Sequence, residues 1–283
     1  MAVKFLIDSA SDVSKNEAES MGVTMLPMAI TFGTEEYYDG VDLMPEQFYE
    51  KLVESDELPK TSQISAYRFE EEFEKLTANG DEVVAIVISS KLSGTFNMAK
   101  QASEKFNGKV FVLDSLSAAT GERLLLEVGK KLAEQGKTAK EIFDQLNKNK
   151  EKLVVMAMVD TLEYLKKGGR VSAAVAFAGQ MLSIKPVVGI VDGEVKLLGK
   201  AMGSRKANNL LNQLVDKKGG IDFTLPISVL WSGLSDALLQ KYLKDSAPLY
   251  EKNIAEVPAH IIGPTIGTHV GPGAVGVAFF GKN

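Results

Sequence analysis

Three apolar runs in this chain end in the same way, on a polar step that carries serine. They are "LIDSAS" from Leu6, "VISSKLSGT" from Val87 and "VLDSLS" from Val112. Each is short, close to continuously apolar and followed by a helical pattern, which is how a strand buried on both faces of a parallel sheet reads. The residues between them repeat the strand–helix alternation of an α/β layer. Ligands of open α/β sheets bind outside the carboxyl ends of the strands, so three polar strand ends facing one crevice are the first hint of a site. With 45% hydrophobic and 24% charged residues, the 283-residue chain has enough apolar surface for an ordinary core.

Along the chain, strands are expected over residues 4–7, 24–32, 35–38, 83–88 and 110–113. Residues 61–63 read as extended. Helices are expected from the capping box at Ser14 and Glu17, from Pro45, from Ser65, over 94–106 with Ser93 as its cap, over 118–134, and from Thr138. Near residue 153 the rhythm changes. A strand over 154–159, a short helix over 161–167, an apolar helix over 173–182 and a hairpin across Asp192-Gly193 follow. Then come a helix capped by Ser204, a strand over 226–231, a helix over 234–246 and two last strands. The expectation is an α/β protein of two domains: residues 1–152 as an α/β layer with a mainly parallel sheet, and 153–283 as an α+β domain with a mixed or antiparallel sheet.

Composition excludes several chemistries. There are no cysteines, hence no disulfides, thiolate metal sites or cysteine nucleophiles. Two histidines make a histidine-rich metal site improbable. A net charge of −5 gives no broad attraction to nucleic acid. The first residues turn polar too soon for a signal peptide, and no apolar run approaches the roughly 20 residues of a membrane span. A cytoplasmic protein without integral membrane association is expected. "SKLSGT" is not a phosphate-binding P-loop, and G-x-S-x-G is absent.

What remains is a set of hydroxyls. Ser93, Gly94 and Thr95 open a helix, where backbone N–H groups lack partners and the dipole favours an anion. Thr61 and Ser62 lie in a similar stretch before a helix. Such neutral donors suit a small anionic head such as a carboxylate; the alternative is that Ser93 and Ser65 are helix caps and nothing more. In the glycine-rich tail "IIGPTIGTHVGPGAVGVAFF", His269 sits either at the mouth of the crevice against a ligand oxygen or incidentally in a turn between two strands. Arg170 and Arg205, two of only four arginines, both follow glycines closely and can pair with a carboxylate, a phosphate or a partner protein. Asp8 and Asp114 read as acid/base groups or as anchors for the serines beside them. The nearly uncharged stretch from Val171 lines either a core or an apolar tunnel.

Taken together and in order, "DSASD" from Asp8, "TSQIS" from Thr61, "SSKLSGT" from Ser89, "DS" at Asp114, "LEYLKKGGR" from Leu162, "IKPVV" from Ile184 and "IGPTIGTHVGPGA" from Ile262 resemble the DegV family of fatty-acid-binding proteins across almost the whole chain. The resemblance implies a bacterial two-domain protein that buries a long-chain fatty acid between its domains and needs no other cofactor. It further implies a non-catalytic subunit of a fatty acid kinase that feeds phospholipid synthesis, presenting the carboxylate to a separate ATP-binding kinase subunit for acyl-phosphate formation. By the same resemblance Thr61 and Ser93 hold the carboxylate, with His269 and Arg170 in support; Ser62, Gly94 and Thr95 belong to the same two stretches. Ala176, Phe177, Met181 and Ile184 are expected along the acyl chain, and Arg205 at the partner surface. Two other classes stay open: a self-contained phosphoryl carrier using His269, and a lipid sensor without a kinase partner.

Overall fold

The central run of the first half is buried on both faces because strands flank it and helices cover it. Val83, Val84, Ala85, Ile86 and Val87 are all fully buried. They form β6 (Glu82–Val87), which pairs in parallel with β1 (Val3–Asp8) and β7 (Val110–Asp114), while β1 also pairs with β2 (Thr24–Leu26). The order in this parallel sheet is β2-β1-β6-β7. The computed structural model describes residues 2–171, 183–250 and 256–282 of the chain.

A second sheet takes over after residue 152. It is mixed and six-stranded: β8 (Leu153–Met158), β9 (Ile184–Val191), β10 (Glu194–Met202), β11 (Ser228–Trp231), β12 (Ala259–Ile261) and β13 (Val275–Phe280), in the order β10-β9-β8-β13-β11-β12. Every neighbouring pair is antiparallel except β11–β12. The β9–β10 hairpin turns at Asp192 and Gly193, both with positive φ (53° and 82°), as a two-residue turn of the expected kind requires. A small antiparallel sheet, β4-β3-β5, is made by β3 (Ala29–Phe32), β4 (Glu35–Tyr38) and β5 (Lys60–Ser62).

Helices fill the layers. On one face of the parallel sheet, Phe69 and Phe73 of α3 (Ala66–Thr77) and Ala99 and Ala102 of α4 (Thr95–Ser103) pack on Leu6, Ala85 and Val87. Its other face meets α5 (Thr120–Glu134) and α6 (Ala139–Asn149) in a cluster that continues without a break to Val155, Val188, Leu230 and Phe280 of the mixed sheet. One helix layer therefore belongs to both sheets. Beyond the mixed sheet, α8 (Gly203–Lys217) and α9 (Ala237–Asp245) close the outer face with Leu211, Val215, Leu239 and Tyr242. The remaining α-helices among the described residues are α1 (Lys15–Ser20), α2 (Pro45–Glu54), α7 (Glu163–Lys167) and α10 (Pro264–Val270).

Four expectations need correction. The strand read over 24–32 is two strands in two sheets, because Pro27 has no N–H for a ladder and breaks the run. Ser204 does not cap α8; the helix starts at Gly203, two residues earlier than that cap implies, with Met202 at its cap and no side-chain cap bond. The last helix of the chain's alternation is shorter than expected, 237–245 rather than 234–246. The glycine-rich tail is no loop between strands: residues 264–270 form α10, with Pro264 in the first turn, where a missing N–H costs nothing. The apolar helix expected over 173–182, with Ala176, Phe177 and Met181, lies outside the described residues.

Candidate functional site: a hydroxyl-lined apolar cavity between the sheets

A cavity of about 290 Å³ lies between the two sheets. Its wall is mostly aliphatic, with Val155, Val188, Ile190, Leu230, Ile262 and Ile266 among the lining residues. Its polar lining comes from Thr61, Ser62, Gln63, Ser93, Thr265, Arg170 and His269, with Gly94 beside them. Six of the seven residues expected around a carboxylate thus line one space, although they come from β5, the loop after β6, the end of α7 and the last turn of α10. Thr95 stands behind them, fully buried. Ile184 opens β9 opposite Met202 and is not among the lining residues. Arg205 is exposed near the start of α8 and makes no hydrogen bond or ion pair among the described residues.

The hydroxyl geometry leaves two protons facing the cavity. Ser93 is not the helix cap: Gly94 holds that position, and the Ser93 Oγ accepts from the Thr95 N–H at 3.3 Å. The two side-chain hydroxyls lie 2.9 Å apart, and the Thr95 Oγ1 accepts from the Ile64 N–H at 3.4 Å. A Thr95 hydroxyl that donates to Ser93 leaves the Ser93 proton free for a ligand. The second donor arises in the same way. The Thr61 Oγ1 is 2.9 Å from the His269 Nε2. The His269 Nδ1 is buried without a partner, packed against Gly168. An N–H there would go unmet, so the proton belongs on Nε2, which donates to Thr61 and turns the Thr61 hydroxyl outward.

His269 is neutral in this setting. Burial, with the nearby Arg170 cation as a second cause, pushes its pKa down to about 4. Arg170 reaches across the cavity: its Nε and Nη2 donate to the Leu92 carbonyl at 3.2 Å each, and its Nη1 to the Gly168 carbonyl at 2.6 Å. It ties the loop bearing Ser93 to the turn on which His269 rests. The hairpin tip adds a second tie, since the Ser89 Oγ donates to the Gly193 carbonyl at 2.7 Å. The result is two neutral hydroxyl donors and one partly buried cation at one part of an apolar space. That arrangement suits an amphiphile with a single anionic head.

The two aspartates at the strand ends serve the backbone. The Asp8 carboxylate accepts from the Ala10 and Ile88 N–H groups, and the Asp114 Oδ1 from the Ser90 and Leu116 N–H groups. Sequence reading named Gly168 and Gln63 only as a helix end and part of an extended stretch, not as members of the site. Nothing in "KKGGR" says that its first glycine is the floor under a histidine a hundred residues away. Among the described residues, no cluster of His, Cys, Asp or Glu could hold a metal ion, and no helix is long and apolar enough to cross a membrane.

The fold and the cavity together define an α/β protein with an apolar space that is polar at one part. The family model described as "Uncharacterised protein, DegV family" matches residues 2–282, and the chain belongs to the DegV family. A DegV domain-containing protein of Clostridium acetobutylicum is 35% identical over 99% of both chains. Among solved structures, a fatty-acid-binding DegV family protein of Thermus thermophilus superposes with a TM-score of 0.88 at 28% identity, covering 99% of this chain and 100% of that one. A stearic acid-binding protein of Eubacterium ventriosum gives 0.86 at 26% identity, covering 100% and 99%.

Proposed function

We propose that this protein binds a long-chain fatty acid in the cavity, carboxylate toward Thr61 and Ser93, and presents that carboxylate to a separate ATP-dependent kinase subunit for conversion to an acyl-phosphate. The observation that carries the binding is the pair of Thr61 and Ser93 hydroxyls gathered with Arg170 at one part of a mostly aliphatic wall. An alkyl tail gains about 0.8 kcal/mol for each methylene taken from water. Hydrogen bonds to a charged carboxylate contribute roughly 1.5–3 kcal/mol each. The phosphoryl-transfer half rests on chemistry: a carboxylate held by neutral hydroxyls keeps its nucleophilicity, and the chain carries no nucleotide-binding motif of its own. The reading places the protein in the cytoplasm, where ATP is available.

A phosphoryl-carrier role for His269 is disfavoured. Its Nε2 is engaged by Thr61 and its Nδ1 abuts Gly168, so neither nitrogen is open to in-line attack on a phosphorus. The test of the proposal is organic extraction of the purified protein followed by mass spectrometry. A fatty acid in near-stoichiometric amount is expected, and an empty extract together with no uptake of added hexadecanoate overturns the reading.

Arg205 bears on the second half. An unpartnered cation near the start of a helix opposes the helix dipole, a placement suited to an outside surface. Arg205→Ala is expected to leave fatty-acid content unchanged and to slow acyl-phosphate formation in an assay reconstituted with a kinase subunit; equal rates remove Arg205 from the partner surface.

A further inference from the structure

Behind the cavity lies a group of carboxyls that the proposed binding does not use. Asp8, at the end of β1, accepts from the Ile88 N–H at 2.8 Å and so anchors the strand end that leads to Ser93. Asp12 and Asp39 hold the start of α10, accepting from the Gly263 N–H at 2.8 Å and the Thr265 N–H at 3.1 Å. Four residues after Thr265 the same helix carries His269. Both sides of the head-group site are thus fastened to one acidic cluster. Its members sit close enough that Asp39 repels both Asp8 and Asp12.

The surroundings do not neutralise them. From α5, Glu122 is fully buried, neither of its carboxyl oxygens has a hydrogen-bond partner, and Asp8, Asp12 and Asp114 of β7 all repel it. Arg123, the one cation facing the cluster from α5, spends its guanidinium on Glu17 of α1, at 2.6 and 2.8 Å, and on the Asp12 carbonyl. Tyr49 of α2 feels both Asp12 and Asp39, and donates to the Ile262 carbonyl. His260 of β12 is bonded to Ser228 and neutral, its pKa pushed down to about 4 by burial. Carboxyls this close and this buried cannot all ionise together. Burial raises Asp8 to about 7, Asp12 to about 8 and Asp39 to about 6.

We propose that Asp8, Asp12 and Asp39 are positioning residues for the fatty-acid head group: a mutually repelling buried cluster that fixes both sides of the cavity and couples its grip on the carboxylate to pH. This inference rests on the fatty-acid reading. As pH rises from 6.5 to 8.5 the cluster gains negative charge behind the site, which repels the bound carboxylate. The sign follows from the raised acids. Their contribution to stability is complete below the ordinary carboxylate range and is lost as pH climbs through the raised values. His269 titrates too low to contribute in this window.

Asp12 offers the cleanest variant. Its Oδ1 serves Gly263, its Oδ2 has no partner, and its backbone is left-handed at φ 58°, which asparagine tolerates. Asp12→Asn keeps the acceptor and removes the titration; Asp12→Ala removes both. The experiment partitions labelled hexadecanoate between protein and phosphatidylcholine vesicles at pH 6.5, 7.5 and 8.5. Wild-type affinity relative to Asp12→Asn is expected to fall about threefold across the window, the part of one linked pKa unit that an acid titrating at about 8 expresses by pH 8.5. Asp12→Ala is expected to bind less tightly at every pH. A wild-type to Asp12→Asn ratio that is constant with pH overturns the inference. If the variant does not fold, the aspartate carboxyl ¹³C resonances of the wild type decide: their titration shifts on adding hexadecanoate, and an unshifted titration overturns the inference. Wild type that takes up no hexadecanoate even at pH 6.5 overturns the fatty-acid reading itself.

Discussion

Removing both outward hydroxyls, by Thr61→Ala with Ser93→Ala, is expected to lower affinity for a long-chain fatty acid at least a hundredfold. Under the proposed binding each hydroxyl donates to a charged group in a largely apolar cavity, and losing such a donor costs roughly 1.5–3 kcal/mol. Two losses reach about 3–6 kcal/mol, or 10² to 10⁴ in affinity. The fold loses far less. Ser93 accepts one backbone N–H, at 3.3 Å, and losing a bond of that kind at a helix start costs about 1 kcal/mol. Stability is best compared with delipidated wild type, because bound ligand itself stabilises the native state. Ser65→Ala serves as the control. Ser65 caps α3 by accepting from the Arg68 N–H and is absent from the cavity lining, so the variant is expected to lose cap stability and keep its lipid. Equilibrium dialysis with labelled fatty acid separates these outcomes. Normal lipid content in the double variant assigns the hydroxyls to the fold alone.

Gly168→Ala is expected to disable the site without touching any polar group in it. A Cβ at this position falls 2.2 Å from the His269 Nδ1 and 3.0 Å from its Cε1, which no side chain tolerates. The imidazole has to move, and its bond to Thr61 breaks. Overpacking of this kind costs about 1–3 kcal/mol of stability. Loss of the Nε2–H that orients Thr61 is expected to weaken ligand binding tenfold or more. A double-mutant cycle checks the cause. In a His269→Ala background the obstacle is gone, and Gly168→Ala is expected to have little further effect. Equal penalties in both backgrounds place the damage elsewhere.

The parallel sheet was legible because its signals are local: apolar runs of strand length, each followed by a helical pattern. The hairpin at Asp192-Gly193 was legible for the same reason. Errors arose where a local signal was ambiguous. Three glycines around "PTIGTHV" suggested a loop, yet Gly263 and Gly271 bracket a helix while Gly267 inside it packs against Phe48 and Tyr49, where any Cβ falls 2.7 Å from the nearest ring atom. The proline after the first glycine was the helix-start signal that deserved more weight. The hydroxyls of the site could be proposed from their types and neighbours. Their partners could not, because Thr61 meets His269, Arg170 meets Leu92 and Asp12 meets Gly263 only through tertiary packing. The buried acids left no trace in composition, since an aspartate at a strand end looks the same whether it faces water or Glu122.

Thr61 and His269 lie 208 positions apart in the chain, and Asp12 and Gly263 lie 251 apart. Contacts this distant close late in folding, after much loop entropy has been lost. Neither half of the polypeptide holds a working fragment of the pocket: Thr61 and Ser93 come from one side of residue 152, Arg170 and His269 from the other. A chain severed in the turn at residues 150–152, where the Lys152 and Leu153 N–H groups donate to Asn149 and Lys150 and the Lys152 carbonyl accepts from Gly281, separates the hydroxyls from the histidine that aims one of them. Two such pieces have reason to reassociate through the shared α5 layer, and a fatty acid laid between them acts as mortar. Under the proposed function lipid then becomes a reporter of assembly as well as a cargo, and its retention measures whether the two pieces have met.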